Sequence, residues 1–564
     1  MRCDVMSYDK LADLIYPEIT TTVEELEKRY PLRQLPPGAE VLRFAPSPTG
    51  FLHTGSLFTA FIGQKVARQT GGVFFVRLED TDQKREIVGT GQELLEQLAE
   101  FGVVPNEGYL GDHESGAYGP YAQSHRADIY KTVIKQMIKD NIAYPCFCSA
   151  EKLQEMRALQ EANKELTGYY GHYATCSHLS VDDMIDKVKR GEPYVIRFRS
   201  KGNHQNMVKV SDLVRGELEL SENDQHIVIL KSDGLPTYHF AHVVDDHFMH
   251  TTIVSRGEEW ISSLSLHVQL FAALGWTAPQ YAHLPVINKL ENGNKRKLSK
   301  RKDPEAAVSY FLDLGYPPEA LLTYLLSIAN SNFEEWWMDH KMDALDDFSL
   351  SFNKMSLDGA LFDLEKVNFF AKEFFATLKA EAIAQRVVNY LKKEENNNDK
   401  INLINQDWQK FVKIMNIERE KENPRKDYVY LQQVWPSIAF FYDPYYEAIF
   451  EKKENDLINP TLNQQVIKNV INDLKAIMVF SKTNEEWFDS IKEVATKNDF
   501  ALSKKDIKQN PDKYHGSVAD VAEILRIALT GSKKSPNLHD VIEILGREQV
   551  ERRLDFIVAN ILNK

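Results

Sequence analysis

Two stretches far apart in the chain carry residues suited to holding a polyphosphate. The first reads Arg43-Phe44-Ala45-Pro46-Ser47-Pro48-Thr49-Gly50-Phe51-Leu52-His53-Thr54-Gly55-Ser56. The second reads Lys295-Arg296-Lys297-Leu298-Ser299-Lys300-Arg301-Lys302, basic at every position except Leu298 and Ser299. In the first, two prolines and Gly50 hold an extended loop whose backbone can approach a ligand closely. Gly55 then opens a helix, whose free N–H groups and positive dipole end favour phosphate. His53 stands beside that end and can donate a hydrogen bond to a phosphate oxygen. In the second, lysines can neutralise charge developing on a triphosphate. Gly293 ahead of the run, with Leu298-Ser299 inside it, predicts a mobile loop with two ordered positions. Taken singly, each stretch has a plainer reading, a surface histidine at a strand–loop–helix joint and a solvated basic loop. Their occurrence together, in this order, points to ATP.

The elements that must position these residues follow from the surrounding pattern. A strand is predicted over 41–45 and a helix over 56–70. Gly71-Gly72 turns the chain into a second, nearly all-apolar strand over 73–78, as buried parallel strands are. This is the opening βαβ unit of a doubly wound α/β sheet, and a helix over 128–140 closes the section. Residues 8–39 read as an N-terminal extension: Thr20-Thr21-Thr22 precedes a short helical pattern at 23–27, and Pro36-Pro37-Gly38 breaks the chain before the first strand. From Tyr144 to roughly Ser221 the alternation is interrupted by strand-like runs at 194–199 and 208–214. That stretch reads as an insertion, with the α/β pattern resuming at 226–231. Beyond Pro304 the chain turns helical, and the Asn-rich patch at 392–400 reads as an exposed loop.

A chain of 564 residues is too long for one core. Its 43% apolar and 11% aromatic content fits a folded, globular protein. No apolar run reaches the roughly 18–20 residues of a membrane span, and residues 1–10 do not read as a secretion signal. A net charge of −14 argues against a general nucleic-acid binder, but 68 basic residues can still form a local stripe. Four cysteines, Cys3, Cys146, Cys148 and Cys176, are too few for a disulfide scaffold, so a reducing, cytoplasmic setting is expected.

The two opening segments resemble the paired signatures of class I aminoacyl-tRNA synthetases, and the wording Arg-Phe-Ala-Pro-Ser-Pro-Thr-Gly-x-Leu-His is similar to the bacterial glutamyl-tRNA synthetases in particular. Further stretches agree: 71–82 (ending Leu78-Glu79-Asp80-Thr81-Asp82), 233–241, Val243-Val244-Asp245-Asp246-His247, and Ser255-Arg256-Gly257-Glu258-Glu259-Trp260. Ala528-Leu529-Thr530-Gly531-Ser532 and Ser535-Pro536 continue the likeness near the C-terminus. It is strong over about 40–310 and loose beyond. One departure stands out, since the class signature ends in His where this chain has Ser56, leaving His53 alone for that contact to ATP.

The resemblance implies a class I Rossmann-like parallel sheet with an inserted acceptor-binding domain, followed by an all-α region that contacts the tRNA stem and anticodon. The expected divisions are 1–39 for the extension, 40–143 and 225–305 for the two catalytic halves, 144–224 for the insertion, 306–380 for stem contact and 381–564 for anticodon binding. It implies ATP with Mg²⁺, held by Pro46, Ser47, Pro48, Thr49, Gly50, His53, Gly55 and Ser56 on one side and Lys297, Leu298, Ser299, Lys300 and Arg301 on the other. His53 and Lys300, with Lys297 as the lesser partner, would stabilise phosphate charge. It further implies a glutamate pocket of Arg43 and Arg256 for carboxylates, Glu79 for the ammonium, Ser47 and Tyr238 for hydroxyl contacts, and His242 on the wall. Arg forks match carboxylates bidentately. Catalysis would be positioning and charge stabilisation without a protein nucleophile, with activation requiring bound tRNA.

Cys146-x-Cys148 followed by Cys176-x-His178 has the spacing of a tetrahedral S₃N zinc shell, with idle buried cysteines as the alternative. Some members of the resembled family carry such a structural zinc in this insertion. In the helical tail, Arg419 to Lys426, Tyr428, Tyr430 and Lys533-Lys534 are the expected tRNA contacts. Expected partners are glutamate, tRNA-Glu and, if discrimination is relaxed, tRNA-Gln with an amidotransferase acting on the product; a monomer is expected. Three rivals stay open at this level: a nucleotidyl-transfer enzyme without tRNA, an enzyme that glutamylates a modified tRNA base, and a non-catalytic binding paralogue.

Overall fold

The computed structural model describes residues 2–48, 50–82, 89–299, 301–452, 462–480, 483–510 and 512–562. Its main sheet has eight strands: β1 (Val41–Phe44), β2 (Val73–Val76), β3 (Glu107–Tyr109), β4 (Glu114–Ser115), β7 (Met207–Asp212), β8 (Gly216–Ser221), β10 (Ile253–Gly257) and β11 (Gln280–Leu284). The order is β4-β3-β2-β1-β10-β11-β7-β8. Pairing is parallel from β3 through β7, and only the outer pairs β3/β4 and β7/β8 are antiparallel. The chain builds outward from β1 to β3, then returns to place β10 on the other flank of β1. Order therefore reverses between β1 and β10, the position at which such sheets open a crevice at their carboxyl ends.

The βαβ unit forms as its sequence dictates. Helix α3 (Thr54–Thr70) ends on Gly71, whose φ of +68° is left-handed and open to glycine at no steric cost. Gly72 follows because a Cβ there would come within 1.9 Å of the Glu40 carbonyl oxygen. β2 is then buried along nearly its whole length, as its continuous apolar run requires.

A second, three-stranded antiparallel sheet is formed by β5 (Ala143–Cys146), β6 (Val195–Phe198) and β9 (Val228–Leu230). The insertion therefore departs from its expected outline in two ways. The hairpin β7–β8 joins the main sheet, and β9, expected to resume the α/β alternation, closes the insertion's own sheet against β6. Strand-forming residues announce a strand but not its partner, because pairing is a long-range matter of packing.

The N-terminal extension is more helical than its sequence suggested. Helix α1 (Arg2–Ile15) precedes α2 (Val23–Arg29), and α2 opens with a full capping box between Thr22 and Glu25. Leu11 and Ala12 are wholly buried, and Lys135 of helix α5 (Ala127–Lys139) donates to the carbonyls of Tyr16 and Ile19 at 3.0 and 2.8 Å. The extension is thus part of the core shared by α5 and the insertion's cysteines.

Contacts divide the chain into one unit of residues 1–312 and 321–364, and another of 313–320 and 365–564. The second is all-helical around its own core, in which Phe375, Phe411, Val470, Ile524 and Leu554 are buried. It begins before the expected 381 boundary, since Phe375 of the helix Leu364–Thr377 belongs to this core. The Asn-rich patch is a loop only in part: 392–394 form an exposed turn between two helices, and a 3₁₀ turn and a helix start follow. Asn397 is buried, donates to the Leu391 carbonyl at 3.1 Å and precedes the helix Asn398–Gln406. Asparagine at a helix start is favoured by the same local bonding that disfavours it inside one.

Candidate active site

A cavity of about 970 Å³ opens at the carboxyl ends of β1, β10 and β11, on the crevice that the reversed strand order predicts. Arg43 reaches it from β1, Glu79 from just beyond β2, and Arg256 from β10. Tyr238 enters from the first turn of helix α8 (Tyr238–Phe248). Ser47, His53, Gly55 and Ser56 form another part of its wall, with Lys297 facing it from the basic run. Residues from both opening segments thus share one cavity with the residues expected to hold glutamate.

The first segment is fixed by its backbone. The Pro46 carbonyl accepts from the Glu79 amide at 2.9 Å, and the Pro48 carbonyl accepts from the Thr90 hydroxyl at 3.0 Å. His53 is the N-cap of α3, and its Nδ1 accepts the Gly55 N–H at 2.9 Å. A neutral ring bonded in this way carries its proton on Nε2. The cap therefore sets both ring orientation and tautomer. The segment just beyond the basic run is joined to the same place: Thr54 donates to the Glu305 carbonyl at 2.8 Å, and the Val308 amide to the Leu52 carbonyl at 3.1 Å. Pro46, Pro48, Gly50, Leu298, Ser299 and Arg301 support these segments without lining the cavity. Thr49 and Lys300 lie outside the described residues.

The basic run begins as a strand rather than as a loop. β12 (Asn288–Glu291) and β13 (Asn294–Lys297) form a hairpin across Asn292-Gly293, both with positive φ, the pair that favours a tight two-residue turn. Acidic neighbours hold its cations in place. Arg296 bonds Asp303 at 2.6 Å and Glu291 at 2.8 Å, and Lys297 bonds Glu259 at 2.9 Å. Leu298 is buried at 2% exposure, and the Ser299 amide donates to Asp303 at 2.9 Å, giving the two ordered positions expected.

Beneath the glutamate-site residues lies a buried charge network. Asp246 accepts from Arg43 Nε at 3.2 Å, Arg77 Nη1 at 2.6 Å and Thr251 at 3.2 Å. Arg77 also bonds Glu79 at 3.2 Å. Burial raises the Glu79 carboxyl above its ordinary range, even with Arg77 and Arg43 beside it. A cationic ligand at this wall would lower it again. Tyr238 packs against Trp260, ring centres 4.4 Å apart and planes tilted by 35°. His242 departs from expectation. It does not line the cavity but sits fully buried one layer behind, with Nδ1 at 2.8 Å from Asp246 and Nε2 at 3.2 Å from the Tyr281 hydroxyl. One helical turn beyond Tyr238, it faces the sheet and the i+4 carboxylate of its own helix. Burial lowers its pKa to about 3, so it is neutral at physiological pH.

In the insertion, the sulfurs of Cys146, Cys148 and Cys176 all lie within 4.8 Å of one another. His178 is not with them; its ring is exposed, with Nε2 3.2 Å from the Gly171 carbonyl. The residues Thr175–His178 form a 3₁₀ turn, in which positions two apart lie about 120° apart around the axis. Cys176 faces the cluster, and His178 is turned to the Gly171 carbonyl instead. The group that completes the cluster is the hydroxyl of Tyr169, 3.4 Å from Cys146 Sγ and 3.3 Å from Cys148 Sγ. Hydrogen bonding with Cys146 and Cys176 pushes the Cys148 thiol well down, and hydrogen bonding with Cys146 and Cys148 pushes the Cys176 thiol well up.

In the second unit, some expected tRNA contacts are internal. Arg419 is buried, donating to the carbonyls of Met415 and Phe375 at 2.7 and 2.9 Å, and Tyr428 lies in the core beneath it. Lys533 and Lys534 are exposed. A separate cavity of about 680 Å³ is lined by Arg425, Thr530, Ser532, Lys534 and Ser535. Among the described residues no helix is long and apolar enough to cross a membrane.

Sequence reasoning missed the supporting layer: Arg77, Asp245, Asp246, Asp212, His267 and His283. A signal existed for some of them. Arg77 follows an all-apolar strand, and two adjacent aspartates sit within the apolar helix α8, positions where a charge is kept only when paired.

Comparison with known proteins agrees with this geometry. Residues 40–367 match the family model for tRNA synthetases class I (E and Q), catalytic domain, and residues 424–558 match an anticodon binding domain. The chain is 42% identical over 550 residues to the glutamate–tRNA ligase of Acetivibrio thermocellus, covering 97% of this chain and 99% of the relative. It is 43% identical over 552 residues to that of Clostridium perfringens strain 13, covering 97% and 100%. Among solved structures it is similar to a glutamate tRNA ligase from Elizabethkingia meningosepticum in complex with its amino acid, at 27% identity and a TM-score of 0.71 over 93% of this chain and all of the other. With a matched catalytic domain, a matched anticodon domain and relatives alike over nearly their full length, the chain belongs to the glutamate–tRNA ligase family of class I tRNA synthetases.

Proposed function

We propose that this ligase works through glutamyl-adenylate formed in the cavity at the head of β1 and β10. The observation that carries this reading is that one cavity takes walls from both phosphate-binding segments and from an Arg43–Glu79–Arg256 set suited to glutamate. A glutamate carboxylate oxygen attacks the α-phosphorus of ATP, the bond to the β-phosphate breaks and pyrophosphate leaves. A hydroxyl of the tRNA 3′ end then attacks the mixed anhydride, releasing AMP. Arg43 and Arg256 bind the two carboxylates, Glu79 the ammonium, and Tyr238 and Ser47 supply hydroxyls. His53, through Nε2–H, and the α3 N-terminus hold phosphate, with Lys297 and Lys300 neutralising the rest. Mg²⁺ accompanies the triphosphate and shares its charge.

The chain acts in the cytoplasm as a monomer, and the cavity around Arg425, Thr530 and Lys534 receives an anticodon base. We extend the proposal to charging of tRNA-Gln, whose product an amidotransferase would convert. Charging purified tRNA-Glu and tRNA-Gln with labelled glutamate tests both halves. Product on both tRNAs is expected; product on tRNA-Glu alone removes the second half, and product on neither removes the whole.

The thiol cluster holds a structural zinc through Cys146, Cys148, Cys176 and the Tyr169 oxygen. Two thiolates at about 2.3 Å on a tetrahedral zinc stand about 3.8 Å apart, and Cys148 and Cys176 are 3.5 Å apart. About one zinc per purified chain is expected by elemental analysis, falling to background in Cys148→Ser and unchanged in His178→Ala. Loss of zinc from His178→Ala would restore that histidine as the ligand.

A further inference from the structure

Arg256 differs from the other arginines of the site in what holds it. Arg43 and Arg77 are each bonded to a carboxylate. Among the described residues, Arg256 makes no salt bridge; its Nε donates to His283 Nε2 at 3.0 Å, Nη1 lies 3.1 Å from His267 Nδ1, and Nη2 donates to the Trp260 carbonyl at 3.3 Å. Its guanidinium also lies over the Tyr281 ring, 4.9 Å from the centre.

An imidazole accepts at one nitrogen only if it is neutral and carries its proton on the other. His283 meets that condition through Asp212. Its Nδ1 is 2.6 Å from Asp212 Oδ2, and both side chains are wholly buried. The carboxylate is fixed in turn by the amides of Val214 at 3.0 Å, Arg215 at 2.8 Å and His283 itself at 3.1 Å. Burial raises the Asp212 pKa, but these bonds, led by that from His283, more than offset it, and the group is held below its ordinary range. The anion orients His283 Nδ1–H toward itself and leaves Nε2 bare for Arg256. His267 is similarly placed: its Nε2 is 2.9 Å from His239 Nδ1, so a proton there leaves Nδ1 as the acceptor. Asp212 lies on β7, inside the stretch expected as the insertion, and reaches His283 because β7 pairs with β11.

We propose that Asp212, His283 and His267 are positioning residues that fix the Arg256 guanidinium with neutral acceptors, so that its charge meets its first anion in the bound amino acid. This rests on the reading of Arg256 as a carboxylate partner. A carboxylate in place of His283 would hold the arginine as firmly but neutralise it in advance; an apolar residue would leave it free to swing. The relay gives position without neutralisation.

The test is steady-state charging of tRNA-Glu by the full chain, with glutamate and ATP varied separately. Arg256→Ala is the control for the underlying reading: a glutamate KM unchanged from the parent refutes that reading itself. With Arg256→Ala impaired, His283→Leu is expected to raise the glutamate KM about tenfold to hundredfold, the range for a lost hydrogen bond to a charged group, with the ATP KM within about twofold. His283→Gln places a carbonyl oxygen near the Nε2 position and is expected to recover most of the loss, whereas His283→Asn is too short to reach. Asp212→Asn is expected to behave like His283→Leu, because the amide no longer compels the Nδ1–H tautomer. Equal rises in both KM values for His283→Leu overturn the inference. If that variant does not fold, the pair His283→Gln and His283→Asn decides: a lower glutamate KM for Gln supports the relay, and equal values overturn it.

Discussion

Replacing Asp246 by Ala is expected to lower the thermal midpoint of the chain by about 6–20 °C and to abolish charging. Asp246 is fully buried and is the shared acceptor of Arg43, Arg77 and His242. Removing one member of a buried ion-paired set strands the others and costs about 3–5 kcal/mol, and in large domains each kcal/mol moves the midpoint by about 2–4 °C. Among the described residues, the variant leaves Arg43 without a carboxylate in an ion pair, and Arg77 with Glu79 at 3.2 Å and Asp245 at 3.6 Å. Glu79 is then drawn further toward Arg77, away from the cavity it would serve. Asp246→Asn keeps the shape and removes the charge, so it separates packing from electrostatics and is expected to fall close to Ala in activity. The pH dependence has a definite sign. Burial alone would raise the Asp246 carboxyl, but Arg43 and Arg77 bring it well below its ordinary 3.8. Its stabilising contribution is therefore complete above the unfolded value and is lost only as pH falls through the depressed folded value. Scanning calorimetry at neutral pH checks the prediction; a midpoint within about 2 °C of the parent, a shift worth less than about 1 kcal/mol, would mean that water re-pairs the arginines.

That network also marks the limit of what the sequence discloses. The βαβ opening, the phosphate-binding loop and the helical tail were legible because each is written in local signals: Gly71-Gly72 after an amphipathic run, prolines before a helix start, an apolar strand. The cavity residues Arg43, Glu79, Tyr238 and Arg256 were legible through motif likeness, and they line one cavity. What escaped is pairing across long separations. Asp212 and His283 meet only because β7 pairs with β11, and nothing local to either marks it. The thiol cluster shows the same limit at short range. Cys-x-His spacing suggested His178, but the turn that follows Cys176 takes the ring away, and Tyr169, with no spacing rule to announce it, fills the gap. Strand β9 went to the other sheet for the reason that its sequence specifies extension and burial, not a neighbour.

His53→Ala is expected to reduce turnover in tRNA-dependent ATP–pyrophosphate exchange by about 10²–10³-fold, the usual cost of one preorganised donor to developing charge. The ATP KM should move little, because a contact that strengthens in the transition state is lost from kcat rather than from binding. Alanine alone would be an ambiguous probe. His53 also caps α3 through Nδ1, and loss of a cap costs about 1 kcal/mol, enough to loosen the helix start that presents its N–H groups to phosphate. Asn resolves the ambiguity. Its side-chain oxygen can accept the Gly55 N–H as an N-cap does, while it carries no group reaching as far as Nε2. His53→Asn should therefore regain the parent's thermal midpoint yet remain as slow as His53→Ala. If Asn restores turnover to within about tenfold of the parent, a difference of only about 1.4 kcal/mol in the barrier, the histidine matters as a cap and the phosphate charge must be met elsewhere. If both variants stay slow with Asn fully stable, the ring is a donor whose direction was set by the backbone of the helix it begins.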